Sequence, residues 1–136
     1  MNLQPFHTYL HQLSAALKAG NATEHTHRPA LKTLVEALDA TVTATNEPKR
    51  IACGAPDYIV ARGELPLGYI EAKDVGADLD AVETSEQLQR YRAGLANLLL
   101  TNYLEFRWYI SGERRLTARL EFKTHPTAVE SVAELL

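Results

Sequence analysis

The residues of this chain whose types and spacing could carry chemistry are Asp57, Glu71 and Lys73, within the stretch GAPDYIVARGELPLGYIEAK from Gly54 to Lys73. Residues 57–61 (DYIVA) and Tyr69-Ile70 are β-branched or aromatic, and Gly63 to Pro66 reads as a turn between two strands. Successive side chains of a strand point to opposite faces, so Glu71 and Lys73 share one face. Asp57 joins them only in the right register. If paired residues have numbers that sum to 128 or 130, Asp57 lies opposite Glu71 or Lys73. That requires an odd loop or a bulge near Gly63, whereas an even loop would throw Asp57 to the other side.

Two carboxylates and an ammonium on one face are costly to assemble, because paired acids repel and resist burial unless something positive stands between them. Lys73 supplies one positive charge, and a divalent cation is the other natural answer. One or two carboxylates completed by water and a substrate phosphate describe a magnesium site. Such an ion stabilises phosphoryl charge and lowers the pKa of bound water, and an adjacent lysine can orient that water or take its proton. The plainer alternative makes Glu71 and Lys73 ordinary surface residues and Asp57 a turn former after Pro56. The apolar neighbours Ile59, Val60 and Ile70 argue for central strands instead.

The elements that must position these groups follow from periodicity. Phe6, Tyr9, Leu10, Leu13, Ala16 and Leu17 recur at helical intervals over 4–18, with Gly20-Asn21 as the stop; His7 and His11 are read as solvent-facing. A second helical pattern covers 22–45, with Ala30, Leu31, Leu34, Val35 and Leu38 as its buried stripe. Thr23 is its expected cap, and Pro29 sets the regular helix to begin near Arg28. Residues 50–54 are expected to form a first strand pairing with 57–62. Helical spacing returns over 83–98 through Leu88, Tyr91, Leu95 and Leu98. Gln87 and Tyr91 then share a face, and Arg90 and Arg92 flank it, either within reach of a phosphate or simply solvated.

Residues 98–101 are a short buried strand, suited to a parallel partner after a helical crossover. Phe106, Trp108 and Ile110 alternate with Arg107 and Tyr109. After a turn at Ser111-Gly112-Glu113, Leu116, Ala118, Leu120 and Phe122 are expected to face inward. Residues 127–136 read as a final apolar helix. The fold class is a single α/β domain with a mixed central β-sheet flanked by helices.

Pro56-Asp57…Glu71-Ala72-Lys73 resembles the signature of the PD-(D/E)XK nuclease superfamily, and Gln87 with Tyr91 resembles the QxxxY motif of one of its branches. In order along the chain come EHTHRPALKTLVEAL, NEPKRIACGAPDYIV, GYIEAKDVGADLD, EQLQRYR and NLLLTNYLEFRWYISGE. This set, over about residues 22 to 113, resembles the amino-terminal nuclease domain of type ISP and related type IIG/IIL single-chain restriction–modification enzymes. The resemblance implies a restriction-endonuclease-like core and a Mg2+-dependent DNA endonuclease, with Mn2+ as the other ion, nicking one strand per domain. It implies that Asp57, Glu71 and the backbone carbonyl of Ala72 bind metal and that Lys73 positions or deprotonates the attacking water. Gln87 would orient Lys73 or a phosphate, with Tyr91 in support. An acid in the helix before the sheet helps bind metal in the family, and the match is Glu24; its plainer role is to favour the helix dipole. His25 and His27 are expected at the solvent or near DNA. The implied partners are double-stranded DNA, fused or associated methyltransferase, translocase and target-recognition domains, and a second nuclease domain for a double-strand break.

The 136 residues suffice for one domain, and their net charge of −3 argues against strong DNA binding by this domain alone. Local basic groups exist at Arg90, Arg92, Arg107, Arg114, Arg115 and Arg119. A cleavage module brought to DNA by another part of a larger chain fits that balance. Cys53 is the single cysteine, so an internal disulfide is excluded. No apolar run reaches transmembrane length and no signal peptide is visible, which makes a cytoplasmic location the expectation and gives no membrane partner. Neither NPP(Y/F) nor GxxxxGK(S/T) occurs, so only the nuclease part of a fusion enzyme is expected here. Two alternatives remain open: a catalytically inactive module of the same fold serving DNA binding or as a scaffold, and a stand-alone nuclease or resolvase of the superfamily.

Overall fold

The computed structural model describes residues 2–20, 22–23, 25–46 and 48–122. The elements run α1 (Gln4–Lys18), α2 (Arg28–Leu38), β1 (Thr43–Asn46), β2 (Tyr58–Arg62) and β3 (Leu65–Ala72), then α3 (Leu79–Glu83), α4 (Glu86–Gly94), β4 (Asn97–Thr101), β5 (Glu105–Ile110) and β6 (Glu113–Arg119). The strands form one sheet in the order β1-β2-β3-β4-β5-β6. Among the described residues only β3 and β4 pair in parallel, joined by the crossover through α3 and α4. This is the mixed, helix-flanked sheet expected from the sequence.

Each face of the sheet has its own core. Phe6, Tyr9, Leu10 and Leu13 of α1 and Leu31 and Leu34 of α2 pack on Tyr58, Ile70, Ala72, Phe106 and Ala118. Leu79, Leu88 and Tyr91 pack with Leu98, Leu100 and Tyr109 in a second cluster. The α2 helix begins at Arg28 with Pro29 in its first turn, where a missing amide proton costs nothing. Among the described residues, no helix is long and apolar enough to cross a membrane.

The β2–β3 hairpin carries the register that matters. Tyr58 pairs with Ile70 and Val60 with Gly68, but Ala61 pairs with Pro66 and Arg62 with Leu65. Leu67 is therefore an extra residue, a bulge that corrects the parity of a two-residue turn at Gly63-Glu64. Gly63 takes the positive φ of 61° that such a turn requires. The bulge is pinned from β4. The Asn97 side chain donates to the Leu67 carbonyl at 2.9 Å and accepts from the Trp108 indole at 2.7 Å. At Gly68 a Cβ would come within 2.9 Å of that Asn97 amide, so the approach requires glycine.

Several expectations are corrected. The second helix stops at Leu38 instead of reaching 45, because Val42, Thr43 and Thr45 favour extended backbone; residues 43–46 become β1, which pairs with β2. Residues 50–54 are not that partner strand, being a tight turn closed by one bridge between Ile51 and Gly54. Thr23 does not cap α2: the residue before the helix is His27, and the Thr23 amide donates to Thr26 instead. The pattern over 83–98 is not one helix: α3 ends at Glu83, the Ser85 hydroxyl caps the separate α4, and Leu95 is already extended before β4. Leu116 and Phe122 are exposed: Leu116 sits on the edge strand β6, which buries only Ala118 against the core, and Phe122 lies past the end of that strand. Those helices cover one half of their face, and Val60, Leu67, Leu99 and Trp108 line an open groove over the other half. The expected helix at 127–136 lies outside the described residues.

Asn97→Ala would leave the Trp108 indole and the bulged Leu67 carbonyl without their partner. We expect a loss of about 2 kcal/mol of unfolding free energy, read by urea denaturation.

Candidate active site

The bulge and the turn bring Asp57 opposite Glu71 at the carboxyl end of β3, where the register of the ladder runs Tyr58↔Ile70. The two acids are tied together through the backbone. The Asp57 amide donates to Glu71 Oε1 at 3.1 Å, and the Ala72 amide donates to Asp57 Oδ2 at 2.8 Å. Each carboxylate thus holds the other residue's strand in place, and charge-assisted bonds of this kind exceed neutral ones in strength. The amide and carbonyl of one strand residue point to the same side, so the Ala72 carbonyl also faces the Asp57 side. Lys73, just beyond β3, continues the ladder through its amide to the Thr101 carbonyl at 2.8 Å.

The Lys73 ammonium sits between Glu71 Oε2 at 3.1 Å and Gln87 Oε1 at 2.9 Å. Gln87 in turn donates to the Tyr91 hydroxyl at 3.4 Å, so one face of α4 is aimed at the acids. Tyr91 is buried against the turn that precedes Asp57: at Gly54, whose φ is 136°, a Cβ would come within 2.9 Å of the Tyr91 ring. Burial pushes the Tyr91 phenol above its ordinary pKa, with the Glu71 carboxylate adding to the effect.

Glu71 is almost wholly buried, at 5% side-chain exposure. Burial pushes its pKa up to about 7; the Asp57 carboxylate adds to the rise and the Lys73 ammonium opposes it. Perturbation of this kind by desolvation plus a specific charged neighbour is characteristic of sites that bind ions or move protons.

A second cation meets the pair from α2. Arg28 Nη2 donates to Asp57 Oδ1 at 2.7 Å, and Nη1 donates to Asn46 Oδ1 at 3.3 Å. The Arg28 backbone carbonyl accepts the Tyr58 hydroxyl at 2.8 Å, which fixes the helix start beside Asp57. Sequence reasoning placed Arg28 only as a helix start. A signal was available: a cation in the first turn opposes the helix dipole unless an acid answers it.

The other expected contributors are distributed as follows. Arg90 is exposed and paired with Glu86 at 2.9 Å. Arg92 is not brought to the acids: it donates to the Gly112 carbonyl at 3.0 Å and lies over the Tyr109 ring at 4.8 Å. Tyr109 pairs with Leu98, toward the end of the sheet remote from Ala72. Arg107 is no surface base, since it is buried among Asp80, Glu83 and Glu105 and anchors α3 to β5. His27 is buried with its ring edge-on to Tyr103 instead of facing solvent. The expected ligand Glu24 lies outside the described residues.

Two carboxylates and a backbone carbonyl form a hard oxygen set that is short for calcium but suits magnesium, which keeps much of its water. Among the described residues, no group of three or more His, Cys, Asp or Glu side chains gathers into a metal cluster. The donor chemistry fits one hexahydrated-type ion partly stripped of water, provided that Asp57 Oδ1 is released by Arg28.

No protein-family model matches the chain, and no curated protein matches it by sequence. Among solved structures, a cryo-electron microscopy structure of a DrdV–DNA complex superposes with a TM-score of 0.77 over 99% of this chain, at 19% identity. The fold is shared with that protein. The chain corresponds to 13% of the length of the DrdV chain.

Because the folded-state pKa of Glu71 is raised, the folded domain holds a proton that the unfolded chain has already lost above about pH 4.5. Its contribution is therefore present in acid and lost as pH rises toward 7. In EDTA, Glu71→Gln should gain stability relative to the native domain between pH 5 and pH 8. The expected gain is on the order of 1–3 kcal/mol by urea denaturation at the two pH values.

Proposed function

We propose that this domain is a Mg2+-dependent DNA endonuclease of the PD-(D/E)XK type, hydrolysing one phosphodiester strand per domain. The observation that carries the reading is the convergence of Asp57, Glu71 and Lys73 on one face at the end of β3, braced through the amides of Asp57 and Ala72. Asp57, Glu71 and the Ala72 carbonyl would hold the ion, with Mn2+ as its substitute. When bound, it would supply charge stabilisation at the phosphate and a more acidic water.

The chain's own groups do the rest. Lys73 has three N–H donors and two are engaged by Glu71 and Gln87, so the third is left to orient the attacking water. The water oxygen bonds to phosphorus while one bridging P–O bond breaks; the proton that the water gives up passes to solvent, and the departing oxygen takes one from solvent. Gln87 fixes the ammonium, and Tyr91 fixes both Gln87 and the turn before Asp57. Glu24 is proposed as a further ligand, direct or through water.

Correspondence to a small part of the much longer DrdV chain supports the finer reading of a nuclease domain within a type ISP or type IIG/IIL restriction–modification enzyme. In that reading methyltransferase, translocase and target-recognition parts deliver DNA. Double-strand breaks need a second nuclease domain. The acidic balance of the chain agrees with delivery by other domains. One observation favours a second reading, a non-catalytic DNA-binding or scaffold module: the guanidinium of Arg28 occupies Asp57 Oδ1.

Plasmid nicking in Mg2+ separates the two. Lys73→Ala should slow nicking roughly 10²-fold or more while the fold persists by circular dichroism. Undiminished cleavage by that variant would show that the chemistry lies elsewhere.

A further inference from the structure

Among the described residues, Arg28 is the cation at the acid pair that the resemblance does not assign. Its side chain is 7% exposed, and it is held on both sides. Asn46 at the end of β1 steadies Nη1, while Tyr58 at the start of β2 clamps the backbone carbonyl. The proline that follows fixes the backbone at the helix start. This is a built position at the junction of α2, β1 and β2, with its charge on the same Asp57 oxygen that a metal ion would need.

We propose that Arg28 is a positioning residue that stands in for the cation: it neutralises Asp57 while the ion is absent and must yield Oδ1 before the ion binds. The proposal rests on the metal-dependent reading above. An arginine is always protonated, so its hold on Asp57 is broken only by exchange for another cation. A guanidinium displaced from a carboxylate pairs best with another oxyanion that offers two oxygens, and the phosphate of the DNA backbone is the group that arrives with the substrate. Ion binding and duplex binding then reinforce each other, because the ion releases Arg28 and the phosphate receives it. An empty domain would therefore hold metal weakly, and full occupancy would come only with DNA seated.

The test is calorimetric and needs no turnover. Mn2+ is titrated into the wild-type protein and into Arg28→Met, which keeps the apolar stem and removes the charge. The variant should bind Mn2+ roughly tenfold more tightly in the absence of DNA, since the ion no longer competes with a guanidinium. It should also melt at a lower temperature in EDTA. A short non-cleavable duplex should tighten Mn2+ binding by the wild type and have much less effect on the variant. If Arg28→Met does not fold, Asn46→Ala loosens the guanidinium with Arg28 in place and should shift Mn2+ affinity in the same direction by a smaller factor. Unchanged or weaker Mn2+ binding by a folded variant, beside measurable binding by the wild type, overturns the role of Arg28 alone. Absence of Mn2+ binding by both proteins, with and without duplex, overturns the metal-dependent reading and this proposal with it.

Discussion

Two acids that repel each other are kept side by side because each one's carboxylate accepts the backbone amide of the other's strand. That reciprocal pair of bonds, from Asp57 to Glu71 and from Ala72 to Asp57, is the constraint on which the rest of the structure depends. The ladder itself pairs Tyr58 with Ile70, and the reciprocal bonds continue the register one residue further with side-chain oxygens in place of carbonyls. Electrostatic repulsion is thereby converted into a fixed spacing. The cost shows in Glu71, whose buried carboxyl titrates far above its ordinary range.

Everything adjacent serves that spacing from a different direction. Lys73 answers Glu71 from the end of the same strand, and Arg28 answers Asp57 from the helix on the opposite face. Gln87 and Tyr91 reach in from α4, and the absence of a side chain at Gly54 lets the phenol ring lie under the turn that launches β2. Contributions from the two faces and from the strands therefore meet at one end of the β2–β3 hairpin. Sites at the carboxyl ends of parallel strands are common in α/β sheets, and here the parallel junction of β3 with β4 sits beside the acids.

The acid pair and its lysine were legible in the sequence because alternation along a strand is a short-range rule. The need for an odd loop or a bulge was legible for the same reason: parity requires one or the other if Asp57 is to share the face of Glu71. The four-residue spacing of Gln87 and Tyr91 likewise fixes a shared helix face. What could not be read was long-range competition. Strand β1 was hidden in an apolar helical pattern because Ala44 and Val42 fit either period, and only pairing with β2 decides between them. Arg107 looked like a surface base, since the acids that surround it come from α3 and from two residues earlier on its own strand. Arg28 was missed because its partner is 29 residues away in sequence.

The tether between the bulge and the indole has an optical consequence. Trp108 is the only tryptophan in the chain, and its ring N–H is bonded to the same asparagine that grips the carbonyl of the bulged residue. Its emission is therefore sensitive to the hydrogen bond that keeps the hairpin in step. A slip of one residue there would send Asp57 to the wrong side of the sheet and would change the colour of the protein's intrinsic fluorescence, with no dye attached.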